Sequence, residues 1–156
     1  MILRSIIAVT MALTAVPAAA AAPLEVTSRA LVEQRVRAPD GTVSVTLVKV
    51  GKVVPGDRVQ FVLAFRNTGK QPIADLVLAN PVPKGIAYRG PGAGTPTPEV
   101  SVDGKTFAPL ARLAVRGGDG RPRPAGNDDV TVVRWRLSAP LAAGAQGQFA
   151  FQGVLK

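Results

Sequence analysis

The chain has 156 residues with no cysteine and no histidine, and its 19 Lys and Arg against 10 Asp and Glu give a net charge of +9. Lacking those two residue types, it has no disulfide, no lipid-modified cysteine, no Ser-His or Cys-His nucleophile pair and almost no route to a zinc or copper site. The charge argues for solubility and anionic neighbours and is silent on fold.

The first 21 residues, MILRSIIAVTMALTAVPAAAA, carry Arg4, then an apolar run from Ile6 to Val16, then alanines. That is the layout of an export signal. The apolar run is about eleven residues against the roughly 20 of a membrane-spanning helix. Ala19 and Ala21 suit an A-x-A cut, which leaves residues 22–156 as the mature chain, without a transmembrane segment and placed in the periplasm or outside the cell. A chain of that size forms one domain and buries roughly two-thirds of its unfolded surface, so it needs no staple.

Residues 24–37 contain both an alternating set and a piece that fits one helical turn; a strand is the favoured reading. Val43 to Val50 alternates but slips phase at Leu47-Val48. From Arg58 to Asn67 the alternation is regular: Val59, Phe61, Leu63 and Phe65 form one set, with Val62 the single apolar residue of the outward set. Ile73 to Ala79 is another strand candidate. Glu99 to Val102 and Lys105 to Phe107 flank Asp103-Gly104, a two-residue hairpin signal. In VTVVRWRL, Val133, Trp135 and Leu137 share a face, while Val130 and Val132 fall out of phase and predict a bulge. Phe149, Phe151 and Leu155 alternate with Gln148, Ala150 and Gln152, and Gly153 marks a thin place or bulge.

Between these runs stand turn residues: Pro55-Gly56-Asp57, Asn67-Thr68-Gly69, Asn80-Pro81 and Pro83-Lys84-Gly85, with two expected loops, GPGAGTPTP and GGDGRPRPAGNDD. Seven or more short strands without a long helix predict an all-β, antiparallel β-sandwich.

The run VVPGDRVQFVLAFRNTGKQPIADLVLANPVPKGIAY resembles the start of the bacterial conserved repeat domain, the domain-of-unknown-function eleven family. VVRWRLSAPLAAGAQGQFAFQGVL resembles that family's closing segment. The resemblance implies an immunoglobulin-like sandwich of exported and surface proteins, often in tandem arrays, with no established catalytic residues. It makes Pro55, Gly56, Asp57, Asn67, Gly69, Pro83 and Gly85 turn-forming positions. The chain departs from the pattern in its single copy and in Asn80, where an acidic residue is usual.

Three candidate sites follow from residue chemistry. Asp57 beside Asp75 would offer paired carboxylates; the plainer reading is a turn in which Asp57 caps its own backbone. Asp119, Asn127, Asp128 and Asp129 are calcium-type oxygens on one loop, but their spacing departs from the helix–loop–helix calcium pattern and arginines intervene, which favours a solvated loop. Arg58, Arg66, Arg134 and Arg136 fall on the outward sets of two strands and form a cationic patch if those strands are neighbours; otherwise they are solvated charges that discourage edge pairing. Aromatics that could stack bases, namely Phe61, Phe65, Trp135, Phe149 and Phe151, all belong to inward sets, which argues against nucleic acid. The expectation is therefore a non-enzymatic, cofactor-free module of the cell envelope that contacts a protein partner. The alternative is a binder of anionic glycan, lipid or extracellular nucleic acid through the arginine face. An enzyme using Asp57, Asp75 or Asp129 is the third class.

Overall fold

The computed structural model describes residues 23–49, 51 and 53–156, and the expected leader, residues 1–21, lies outside them. Among the described residues ten strands occur in chain order: β1 (Leu24–Arg37), β2 (Val43–Lys49), β3 (Arg58–Asn67), β4 (Val77–Pro81), β5 (Ile86–Pro91), β6 (Glu99–Ser101), β7 (Ala114–Arg116), β8 (Pro122–Pro124), β9 (Val132–Arg136) and β10 (Gln146–Leu155). Two 3-10 turns, Leu110–Arg112 and Asn127–Asp129, separate some of them.

All pairings are antiparallel. The larger sheet has the order β2-β1-β3-β10-β5, a second has β4-β9-β6, and β7 pairs with β8. Alternation explains why the two larger sheets face each other. One side of β3, carrying Val59, Phe61, Leu63 and Phe65, joins Tyr88 and Phe151 in a buried cluster with Leu78, Val100, Val133 and Trp135 of the smaller sheet. The Trp135 and Phe149 rings stack across the gap, centroids 5.1 Å apart, and Phe61 stacks on Phe151 at 4.8 Å. Each such side chain stabilises the fold by roughly 1.5–3 kcal/mol. The result is a β-sandwich-like arrangement with one shared interior.

Four expectations need correction. Val62, assigned outside, is only 4% exposed: in the ladder it lies between Arg29 and Ala150 in the middle of five strands, where neighbours crowd the outward face too. Ile73 to Ala79 is not one strand, because Asp75 sits at φ 51 and interrupts it, leaving Ile73 as an isolated bridge to Leu141 ahead of β4. Asp103-Gly104 closes no two-residue hairpin. Val100 bridges Ala108, and Asp103 accepts hydrogen bonds from Ser101 Oγ and the Lys105 and Thr106 amides, shaping a wider loop. The phase slip at Val130 is the exit of the Asn127–Asp129 turn, whose next residue is extended, in place of a bulge.

Three further strands are not revealed by alternation: β5 is broken by Gly90 and Pro91, β7 has only three residues, and the expected GGDGRPRPAGNDD loop contains β8. Gly153 behaves as expected: the β10–β5 register shifts between Gln152 and Gly153, and a Cβ there would collide with Ile86 Cγ2.

Candidate functional site

The P-G-D corner is a turn with a structural duty. The Asp57 amide donates to the Val54 carbonyl at 3.0 Å, Gly56 takes φ +96, and the Asp57 carboxylate accepts the Val54 amide at 2.9 Å. Pro at the second position and a positive-φ Gly at the third are what a type II turn requires. The same corner receives the far strand: Gly56 donates to the Leu155 carbonyl, and Leu155 to that of Asp57. Asp57 and Asp75 lie beyond opposite ends of β3, whose ten residues span about 33 Å, so they cannot act as a pair. Asp57 instead lines an open hollow of about 400 Å³ with Glu33 and Arg58.

Asn67 does more than form a turn. It is fully buried, its Nδ2 donates to the carbonyls of Gln71, Leu141 and Ala142, and its Oδ1 accepts the Gly69 amide. Gly69 has no room for a side chain, since a Cβ would meet that of Pro23 at 2.7 Å. At the other corner, Ile86 donates to the Pro83 carbonyl and Gly85 takes φ +83.

The acidic loop is tied to its own surroundings. Asp129 makes two 2.7 Å hydrogen bonds to Arg123 and accepts the Gly126 amide, Asp119 accepts the Arg121 amide, and Asp128 pairs with Arg89 at 3.2 Å. The Arg123 hydrogen bond, followed by that of Gly126, draws the Asp129 carboxyl down to about 2. Among the described residues no group of three or more carboxylates converges on a point that could hold a metal ion.

The four arginines do not share a face. Arg58 and Arg66 stand at the two ends of β3 in the larger sheet, whereas Arg134 and Arg136 belong to β9 in the smaller one. Arg134 is also engaged, bonding Glu99 at 2.7 Å and stacking over Phe107 at 3.9 Å. Arg66 lines a shallow hollow of about 470 Å³ on the outward face of β1, β3 and β10, together with Glu25, Thr27, Ala64, Gln146 and Gln148. The ladder sets Glu25 and Gln146 on either side of Arg66, yet the guanidinium and the Glu25 carboxylate form no ion pair.

A second surface was not anticipated. β1 pairs with β3 only through Val32, but with β2 up to Arg37, so residues 33–37 and 43–47 form a two-stranded ribbon that runs about 17 Å past the start of β3. Its tip is Ala38-Pro39-Asp40-Gly41: Gly41 donates to the Ala38 carbonyl, takes φ +87, and is followed by Thr42, whose amide and hydroxyl both donate to Asp40. A turn followed by a positive-φ glycine is a common hairpin closure. Gln34 and Thr46 are exposed on one side of the ribbon, and Leu47 is 40% exposed on the other. The A-P-D-G stretch between two alternating runs was the available signal for this element.

Among the described residues no helix is long and apolar enough to cross a membrane. The chain matches no protein-family profile, no curated protein and no solved structure.

Proposed function

We propose that the chain is a non-enzymatic, immunoglobulin-like module, exported to the cell envelope, that works through contacts with proteins. The observation that carries this reading is the β1–β2 ribbon, which extends beyond the sandwich and leaves β2 at the edge of the larger sheet. A two-stranded ribbon in water is marginally stable alone. A partner that extends the sheet would supply what the body does not. Export rests on the leader-like first 21 residues, and kinship with the conserved repeat domain rests on the quoted motifs alone.

The test is site-specific photocrosslinking in the native envelope. A photoreactive residue at Leu47 is expected to give discrete protein adducts, while the same residue at exposed Arg112 gives few. Equal labelling from both positions, or adducts from Arg112 alone, overturns the reading.

A second reading has its own observation, the unpaired Arg66 guanidinium in the hollow between Glu25 and Gln146. It makes the outward face a site for an anionic glycan or lipid headgroup. Binding to an acidic polysaccharide is then expected to weaken with salt and to fall on Arg66→Ala, but not on Arg134→Ala. Salt-independent retention, or equal loss from both variants, rejects it.

A further inference from the structure

Four strands end the two larger sheets, and three of them are protected. β5 carries exposed Arg89 and ends in Pro91. β4 has five residues and ends in Pro81. β6 has three and is bridged on its far side by Ala108. These are the ordinary devices that keep sheet edges from pairing with other chains. β2 has the least of them: it is seven residues long, contains no proline, and carries its single charge at its last residue, Lys49.

An edge of this kind accepts an added extended strand, and a strand open on one side without proline or central charges meets no obstacle to pairing there. Among the described residues, β2 alone meets those terms. Every copy of the chain therefore brings both halves of the contact. Antiparallel pairing of two β2 strands about Thr46 sets Val45 opposite Leu47 and places each Lys49 opposite Val43 of the other copy. The two lysines then stand about six residue spacings apart, roughly 20 Å, well beyond the screening length of about 8 Å at physiological salt. No like charges face each other across the junction. The contact is isologous, so it closes as a dimer and does not propagate.

We propose that two copies of this protein associate through β2 to form one continuous ten-stranded sheet. This rests on the reading of the ribbon as the interaction surface and names its partner. Since each copy is strongly basic, salt strengthens the dimer by screening the repulsion between the bodies. Binding of an acidic ligand would have the opposite salt dependence.

Sedimentation equilibrium between ~10 and ~500 µM, a range suited to a small interface, is the test. The weight-average mass of the wild type is expected to rise toward twice the monomer, and more steeply at ~500 than at ~50 mM salt. Thr46 is exposed, so Thr46→Lys leaves the fold intact and sets two lysines face to face at the centre of the contact. It is expected to weaken association by up to about fivefold, as does Thr46→Glu, whereas an equal mixture of the two variants associates again. A wild type that stays monomeric throughout, or a Thr46→Lys protein that dimerises like the wild type, overturns the proposal. Should Thr46→Lys unfold, hydrogen exchange of the wild type decides: amides of 43–49 become more protected with concentration if the proposal holds, and stay unchanged if it fails. Leu47 crosslinks to a different protein, from a chain monomeric in solution, would sink the dimer and leave the broader function standing.

Discussion

β2 and β3 alternate with the same period and lie in the same sheet, but they live in different surroundings. β3 has neighbours on both sides and a second sheet over its apolar face, so Phe61, Leu63 and Phe65 are each less than 10% exposed. β2 has one neighbour, and Leu47 remains 40% exposed. Alternation announces a strand with two unlike faces. What covers the apolar face depends on the chain's other elements, or on another molecule.

The sharpest way to break this contrast is to remove one side chain from each region. Phe151→Ala, which empties the position between Phe61 and Tyr88, is expected to cost about 3–5 kcal/mol in a urea titration, whereas Leu47→Ala at dilute concentration stays within about 0.5 kcal/mol. Similar costs would mean that the ribbon is part of the core. Next in size is Asn67→Ala, which strands the buried carbonyls around it and is expected to lower stability by about 2–3 kcal/mol.

Acid sharpens the comparison further. Asp129 lies at about 2 when folded against 3.8 for the free carboxyl, chiefly through the Arg123 hydrogen bond; Asp103 is lower still, through the Thr106 and Lys105 amides. A depressed carboxyl contributes its stabilisation in full above the unfolded value and loses it as pH falls through the folded one. The melting midpoint is thus expected to hold from pH 7 to 5 and to fall between roughly 4 and 2, with a shallower fall in Asp129→Asn. An unchanged profile in that variant would show that the Arg123 contact is not maintained in solution. The smallest effect belongs to the ribbon tip. Asp40, lowered by its bonds from Thr42, closes only the ribbon's turn. Asp40→Asn should speed hydrogen exchange across 33–47 and leave the global midpoint in place. A shifted midpoint would tie the ribbon to the body's cooperative unit.

Much of the body could be read from residues alone, because β3, β9 and β10 combine period-two alternation with large side chains. Gly56 and Gly85 were legible for a similar reason: turns with positive φ favour glycine. β7 and β8 were not, since three residues cannot display a period, and Pro122 and Pro124 look like loop. The arginine patch dissolved because outwardness is a local property of a strand, while the sheet to which the strand belongs is set by distant pairing. Asn67 reads as a turn residue, and only the arrival of the Leu141 and Ala142 carbonyls makes it a buried clamp.

β10 lies between β3 and β5 inside the larger sheet, while all of β4 to β9 separates it from β3 along the chain. The keystone therefore follows the other described strands in synthesis. Until it emerges, the phenylalanines of β3 lack their stacking partner, and closing so long a loop makes folding slow. Without that strand β5 has no neighbour in the larger sheet, so the sheet is completed from its interior and not from its edge.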